Sequence, residues 1–258
     1  MIVKDKYELE TLKKAGAILA EVLYELQERV VAGVSSAELD ELAHDLIIRK
    51  GAKPSFLGYK PEGHKREYPA TICFSLNDEV VHGIPNEKEK ILKSGDIVTL
   101  DCGLWLDDLC VDAARTLIVG SASKEAKIVH NAAKEMLSAQ ISAAKPGVAV
   151  SDLGQASEKV VNQYGIYTPK ILGGHGVGKA VHEEPFVPSY FSKDSYFKYK
   201  LKEGQVLALE PIAIFGTSEV ILDKDGYTYK SKDGSLSAQF EETVAIFENG
   251  AEIITALR

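Results

Sequence analysis

LKSGDIVTLD occupies residues 92–101, and a similar stretch, LKEGQVLALE, occupies residues 201–210. Each begins with a glycine-containing turn and continues as an alternating run with β-branched residues, a pattern that predicts a β-strand. Each predicted strand ends in a carboxylate, Asp101 in the first stretch and Glu210 in the second. The chain therefore contains the same kind of strand twice, with an acidic residue at the matching place in both copies.

The segments upstream of these strands also resemble one another. Residues 33–51 read GVSSAELDELAHDLIIRKG, and residues 147–165 read GVAVSDLGQASEKVVNQYG. Each follows a stretch whose apolar residues recur at helical spacing. Ser35 and Glu38 predict a capping box at the start of a helix, and Gly51 can end that helix in the left-handed conformation. Two helices are therefore expected before the strands in each part of the chain.

A further predicted strand follows in each part and contains another acidic residue. CVDAARTLIVG at residues 110–120 contains Asp112, and SAQFEETVAIF at residues 237–247 contains Glu241. Both side chains are expected to point inward, because side chains alternate between the two faces of a strand. The sequence thus places two carboxylates on neighbouring strands in each part.

The repeated order of elements predicts a single catalytic domain over residues 1–258, made of two pseudo-symmetric halves of roughly 1–120 and 121–258. Two like halves that face one another would bring the four carboxylates to one point. They could not all stay ionised there, because like charges and desolvation both raise the pKa of a buried acid. Divalent cations supply the opposite charge. The matched positions therefore favour a metal site over four separate surface acids.

His175 is a candidate fifth ligand. It lies in GGHGVGKAVHEEP at residues 173–185, where the surrounding glycines allow a close approach of the backbone. Mixed carboxylate and imidazole ligation without a thiolate suits Mn, Fe(II), Co or Zn. Two ions are expected rather than one, because a pair can activate a water and hold both ends of a hydrolytic displacement.

The composition excludes several classes of function. The 258 residues have a formal net charge of −8, whereas a nucleic-acid-binding protein needs a basic surface. We find neither a secretory signal nor an apolar run long enough to span a membrane. Three cysteines do not suggest a disulfide framework. We expect a cytoplasmic protein with no direct nucleic-acid binding and no membrane association.

Six stretches carry a resemblance to a known family over essentially the whole chain. They are SFLGY (55–59), YPATICFSLNDEVVHGIP (68–85), TLDCGLWLDDLCVDAARTLIVG (99–120), GGHGVGKAVHEEP (173–185), ALEPI (208–212) and SLSAQFEET (235–243). Together they resemble the type I methionine aminopeptidases. The resemblance implies a mixed α/β (α+β) pita-bread fold, in which pseudo-symmetric halves share a curved antiparallel sheet covered by helices.

The resemblance also implies a role for each candidate ligand. Asp101 is expected to chelate one metal ion, and Asp112 and Glu241 are expected to bridge both ions. His175 and Glu210 would complete the shell of the second ion. Glu210 would in addition be the catalytic proton shuttle. The resemblance does not identify the metal.

Other matched positions are implied to bind the substrate. His182 would stabilise the developing oxyanion, and His82 would position the substrate backbone and assist proton transfer. Tyr59, Tyr68 and Cys73 occupy positions where the family contacts methionine. Those three would line an apolar pocket.

Two features fall outside the family pattern or its matched motifs. The polar run KPEGHKRE at residues 60–67 is longer than in common bacterial members, and we expect it to be an enlarged flexible loop at the pocket rim. His44, His64 and His130 lie outside the matched motifs and are interpreted as surface residues.

The implied function is hydrolytic removal of the initiator methionine from nascent proteins, with a preference for a small second residue. A proline-specific aminopeptidase of the same fold and a non-catalytic binding protein that kept the fold are the alternatives. The expected partner is a peptide with a free N-terminal methionine, and the protein is expected to be a monomer. The sequence leaves association with the ribosome open.

Overall fold

The computed structural model describes residues 1–256, and the last two residues of the predicted domain 1–258 lie outside this part of the chain. Four α-helices are described: α1 (Lys6–Glu28), α2 (Ser36–Arg49), α3 (Lys124–Ala143) and α4 (Val150–Tyr164). The first five strands are β1 (Lys53–Pro54), β2 (Ile72–Leu76), β3 (Glu79–Val81), β4 (Ile97–Leu106) and β5 (Leu109–Ile118). The remaining strands are β6 (Gly174–Gly176), β7 (Glu183–Val187), β8 (Val206–Leu209), β9 (Ile212–Ile214), β10 (Val220–Leu222), β11 (Tyr229–Ser231), β12 (Ser237–Gln239), β13 (Glu242–Phe247) and β14 (Gly250–Ile253).

Local hydrogen bonds and a glycine set the two ends of α2 as the sequence predicted. The backbone N–H of Glu38 donates to Ser35 Oγ at 3.2 Å, and the backbone N–H of Ser35 donates to Glu38 Oε2 at 2.9 Å. This reciprocal pair satisfies two donors that the first turn of α2 would otherwise leave unpaired. Gly51 follows the same helix with a φ of +76°, a conformation that costs glycine nothing. The predicted capping box and the predicted helix end are both confirmed.

The strands pair in antiparallel sheets that the helices cover. One sheet has four strands: β4 lies between β5 on one side and β1 with β2 on the other. A second sheet has five strands in the order β14-β13-β8-β6-β7. Helix α1 packs on β4 and β5 through Leu12, Leu19 and Leu26, which are fully buried. This apolar face confirms the helical stripe read from the sequence.

Two predicted strands differ from the observed ones. Asp101 was expected to end its strand, but β4 continues past it to Leu106 because ten residues of β4 pair with β5 through a tight hairpin. The predicted strand over 237–247 is broken, because its first part, β12, pairs with β9 and its second part, β13, pairs with β8. Glu241 therefore lies at the point where the chain changes partner.

The two sheets meet where β5 runs beside residues 239–243. Ala114 and Glu241 exchange backbone hydrogen bonds of 3.3 and 3.1 Å. Thr243 Oγ1 accepts from the backbone N–H of Asp112 at 2.9 Å and donates to the Asp112 carbonyl at 2.7 Å. These bonds hold Asp112 next to Glu241, although the two residues are far apart in the chain. The division into halves near residue 120 stays a prediction.

Within residues 1–256, no helix has the length and apolar character needed to cross a bilayer.

Candidate metal centre and substrate cavity

Strand register places Asp101, Asp112 and Cys73 on one face of the four-stranded sheet. Asp112 on β5 lies opposite Gly103 on β4, two residues after Asp101, and residues two apart share a face. Cys73 on β2 is the direct cross-strand partner of Asp101. A Cβ at Gly103 would lie 2.3 Å from Ser55 Oγ, so a larger residue here would displace the Ser55 side chain. The absence of a side chain at Gly103 therefore leaves room on the face that carries the two acids.

His175 enters the centre from the five-stranded sheet, on the short strand β6 between β7 and β8. Its neighbours must be glycine, because a Cβ at Gly174 would lie 2.5 Å from the Ala208 carbonyl and a Cβ at Gly176 would lie 2.4 Å from the Glu184 carbonyl. The glycines flanking the histidine were predicted to permit a close backbone approach, and this prediction is confirmed. Glu210 directly follows β8.

The structure brings the five predicted ligands together. Ligand atoms of Asp112, His175 and Glu241 all lie within 4.8 Å of one another, and all three residues are buried. His175 Nε2 lies 3.5 Å from Glu210 Oε1. Asp101 is buried and close enough to Asp112 for each charge to affect the other. The carboxylates and the imidazole thus surround one point where the two sheets meet.

Burial dominates the electrostatics of the four acids. It raises the pKa of Asp112 to about 7. The pKa values of Asp101, Glu210 and Glu241 are raised well above the usual range, first by desolvation and then by the neighbouring carboxylates. Burial also lowers the pKa of His175 to about 3, so this imidazole is neutral and its contact with Glu210 is not an ion pair. Without a cation, the centre therefore favours protonated acids over a cluster of negative charges.

Unpaired atoms show that these residues fit a metal. Asp101 Oδ1, Asp112 Oδ1 and Glu241 Oε1 are buried without a hydrogen-bond partner among the described residues. His175 Nδ1 lies 2.9 Å from the Gly176 carbonyl, an acceptor, so Nδ1 carries the proton and Nε2 presents a lone pair to Glu210. Lone pairs that face one another repel unless a cation lies between them. Oxygen and nitrogen ligands of this kind suit a divalent transition metal.

Two polar side chains orient the ligands, and the sequence analysis did not single them out. Gln239 Nε2 donates to Glu210 Oε2 at 3.0 Å and to Glu241 Oε2 at 3.3 Å. Arg115 donates to the Glu241 carbonyl at 2.7 Å and to Glu242 Oε1 at 2.6 Å. Gln239 lies within the matched stretch 235–243, which was the available signal.

A cavity of about 220 Å³ opens beside the acidic centre. The structure places every predicted substrate-binding residue on its wall, and these residues are Tyr59, Tyr68, Cys73, His82 and His182. Apolar residues that sequence reasoning missed also contribute, namely Phe56, Leu172 and Tyr229. Phe56 lies within the matched stretch 55–59, which was the available signal. No sequence signal marked Leu172 or Tyr229, because only the fold brings them to the cavity. An apolar chamber next to a charged centre suits a ligand with an apolar side chain and a polar end.

The two cavity histidines are held in different ways. His82 has a φ of +58°, a strained conformation for a residue with a Cβ, and burial lowers its pKa to about 3. His182 packs edge-on against His175, with ring centroids 4.4 Å apart, and desolvation lowers its pKa. Its Nδ1 lies 3.0 Å from Tyr59 Oη. Both imidazoles are neutral near pH 7 and can exchange hydrogen bonds with a substrate.

The interpretation of His64 as a surface residue is wrong. His64 is half-buried, lines the cavity and stacks on Tyr227, with ring centroids 4.8 Å apart. The interpretation failed because the surrounding run 60–67 is polar throughout, while the contact is made with a segment more than 160 residues further along the chain.

Comparisons with known proteins point to one family. The sequence profile of metallopeptidase family M24 matches residues 10–248. A methionine aminopeptidase of Aquifex aeolicus is 46% identical over 250 residues, which cover 97% of this chain and 96% of the relative.

Solved structures agree. The crystal structure of methionine aminopeptidase from Thermotoga maritima matches with a TM-score of 0.91 and 36% identity, covering 99% of both chains. That of methionine aminopeptidase from Rickettsia prowazekii also matches with a TM-score of 0.91, at 32% identity, covering 99% of this chain and 100% of the other. The expected pita-bread fold is confirmed by this likeness, and the similarity extends over the full length of the known proteins.

Proposed function

The chain belongs to metallopeptidase family M24 and, within it, to the methionine aminopeptidases, and from this membership we propose that it removes N-terminal methionine at the acidic centre described above. The expected substrate is a nascent peptide with a free amine and a small second residue. This function is favoured over a proline-specific aminopeptidase or a non-catalytic binding protein, because relatives of 36–46% identity over nearly the whole chain are methionine aminopeptidases.

One observation carries the assignment of the site. Three unpartnered carboxylate oxygens and the lone pair of His175 Nε2 converge at the inner end of an apolar cavity. A catalytic metal centre needs such open ligands next to a substrate chamber. In this proposal Asp101 would hold one ion, His175 with Glu210 would hold the second, and Asp112 and Glu241 would contribute to both.

The family uses a divalent metal, and a pair of ions is our proposal. Bound metal supplies a Lewis acid and lowers the pKa of water, so that a nucleophile is available at neutral pH. Mn, Fe(II), Co and Zn all suit the ligand set, which contains oxygen and nitrogen donors but no thiolate.

The residues of the chain perform the remaining tasks. Glu210 accepts the proton of the attacking water and returns it to the leaving amine, and Gln239 holds its carboxylate in place. His182 donates from Nε2 to the carbonyl oxygen of the scissile bond, because Tyr59 occupies its Nδ1. His82, which also lines the cavity, positions the substrate backbone.

The cavity selects methionine by shape. Tyr68, Cys73 and Phe56 are 4%, 4% and 7% exposed and form a closed apolar end next to Asp101. A long unbranched thioether fills such a space well, since it adapts to an irregular wall. The free amine of the substrate is held by the acidic centre, which restricts the reaction to the first peptide bond.

Location and partners follow from this substrate. A nascent chain with an intact initiator methionine is found where translation takes place, which supports a cytoplasmic protein that meets its substrate near the ribosome. We expect the protein to be a monomer. Fractionation of cells and analytical ultracentrifugation of the purified protein would test these two points separately.

Release of free methionine tests the proposed function. The metal-free protein should be loaded with Mn, Fe(II), Co or Zn in turn and assayed on Met-Ala-Ser, with Ala-Pro-Ser as the comparison peptide. We expect metal-dependent release of methionine and no release of alanine. Equal turnover of both peptides would contradict the specificity.

Variants test the assignment of the site. Glu210→Gln should lower kcat by about a thousandfold or more, because the proton carrier is lost. Glu203→Gln is the matched control, since Glu203 is exposed and lies on the same segment. Near-normal activity and metal content in Asp112→Ala or Glu241→Ala would refute the bridging assignment.

A further inference from the structure

The loop over residues 60–67 forms part of the mouth of the cavity. Pro61 and His64 both line the cavity, and the backbone N–H of His64 donates to the Pro61 carbonyl at 3.1 Å to close a turn. The loop had been expected to be an enlarged, flexible rim. Its contacts show instead that it is attached at several points to a distant segment of the chain.

Tyr227 is the main point of attachment. Its ring lies between Tyr68, which it meets edge-on at 5.1 Å, and His64, on which it stacks at 4.8 Å. Its hydroxyl donates to the Arg66 carbonyl at 2.6 Å. Arg66 in turn donates to the Asp225 carbonyl at 3.2 and 2.9 Å. The three rings therefore form a row that leads from the buried end of the cavity to its mouth, with His64 outermost.

The two ring nitrogens of His64 have different surroundings. Nδ1 is buried and has no hydrogen-bond partner in the described chain, and Nε2 is the nitrogen that remains accessible. A buried N–H without a partner is more costly than an unpaired acceptor, so the proton is expected on Nε2. This tautomer presents one N–H donor at the wall of the cavity.

We propose that His64 is a substrate-binding residue that contacts the main chain of the substrate downstream of the scissile bond. The inference rests on the proposed function, in which the first residue of the substrate occupies the inner end of the cavity. The rest of the peptide must then leave through the mouth, past the outermost ring of the row. Nε2–H of His64 donates there to a main-chain carbonyl of the substrate. This contact is independent of the side chains of the protein being processed.

Two substrates separate this contact from any effect on the methionine pocket. Met-Ala-Ser has main-chain carbonyls beyond the scissile bond, whereas methionine p-nitroanilide ends at the scissile amide. His64→Ala should lower kcat/KM for Met-Ala-Ser by about tenfold, the usual effect of losing one such hydrogen bond, and leave the p-nitroanilide within about twofold of wild type.

Further variants control for packing and charge. His64→Phe keeps the stack on Tyr227 but has no donor, so it should lose as much as His64→Ala on Met-Ala-Ser. His64→Gln supplies a side-chain N–H and should recover part of the loss. Lys65→Ala is the matched control, because Lys65 is the exposed next residue of the same loop. Thermal unfolding midpoints should agree among all four variants.

Three different results would overturn the inference. An equal loss on both substrates would overturn the inference and show that His64 acts through Tyr227 on the methionine pocket. An unchanged kcat/KM for Met-Ala-Ser in both His64→Ala and His64→Phe would overturn it as well. A wild-type protein that releases methionine from neither substrate would refute the proposed function, and this inference with it.

Discussion

Tyr59 Oη lies 3.0 Å from Nδ1 of His182, at the wall of the cavity next to the acidic centre. The phenol keeps its proton, since burial raises the pKa of Tyr59. The pKa of His182 is lowered, chiefly by desolvation, so the imidazole is neutral and Nδ1 can accept. When the hydroxyl of Tyr59 donates to Nδ1, the imidazole proton lies on Nε2, the nitrogen that we propose donates to a substrate carbonyl.

Tyr59→Phe removes the hydroxyl that sets the tautomer of His182 and leaves the cavity wall apolar. We expect kcat to fall by about tenfold, because part of the His182 population takes the wrong tautomer, while KM changes little. Steady-state kinetics on Met-Ala-Ser would measure both constants. Tyr24→Phe is the control, since Tyr24 is exposed on α1. A change confined to KM would show that Tyr59 acts on binding instead.

The stability of the metal-free protein should depend on pH in the direction set by its buried acids. Folding raises the pKa of Asp112 to about 7 and raises those of Asp101, Glu210 and Glu241 well above their ordinary values. Between pH 6.5 and 8.5 the folded state therefore binds more protons than the unfolded state, and stability falls as pH rises. Below this range the neutral buried histidines have the opposite effect, because their pKa values are lowered on folding.

Asp112→Asn provides the matched comparison for that prediction. Removing one buried charge should raise Tm of the metal-free protein relative to wild type, and by more at pH 8.5 than at pH 6.5. Saturating Mn should raise Tm of wild type but have a much smaller effect on the variant. Calorimetry measures Tm of both proteins at each pH, with and without Mn. A wild-type Tm that rises with pH across this range would contradict the buried-acid account.

Gln239 should control metal affinity without being a ligand. Its amide donates to both Glu210 and Glu241. Gln239→Ala should weaken metal binding by about 10- to 100-fold, as is typical when a residue that orients ligands is lost. Isothermal titration calorimetry with Mn would measure the Kd, and Gln163→Ala, on the exposed face of α4, is the control. An unchanged Kd would limit Gln239 to a packing role.

Cys102 and Cys110 should be inert in the folded protein. Cys102 and Cys110 are fully buried, and burial raises the pKa of both thiols well above the usual range. The reactive thiolate is therefore scarce at pH 7.5. Iodoacetamide should modify neither residue in native protein, with or without metal, and both after denaturation. If native metal-free protein were labelled and bound metal prevented that labelling, the result would instead support an oxidation-sensitive thiol beside the ligands.

Several parts of the site were accessible to sequence reasoning because they depend on local chemistry. Asp101 and Glu210 stood out through their matched strands, and His175 through glycines whose close backbone contacts the structure confirms. The capping box of α2 was predicted because both partners lie within one turn. In each case the relevant atoms belong to a short segment, so the pattern of residues was sufficient.

Other parts depend on which distant segments meet. The strand break before Glu241 arises because β12 and β13 pair with different strands. The alternating pattern of one stretch does not indicate which strands it pairs with. His64 was misread for the same reason, since its partner Tyr227 lies in another part of the chain.

The sequence by itself determined the family, the candidate ligands and the helices with the capping box of α2, because periodicity, capping and motif spacing depend on neighbouring residues. Only the tertiary structure decided that Tyr59 meets His182, that Gln239 orients two carboxylates, and that the outer ring of the cavity wall comes from the 60–67 loop. Those contacts form when the packing of two sheets and their loops brings remote side chains within hydrogen-bonding distance, and no local pattern records that packing.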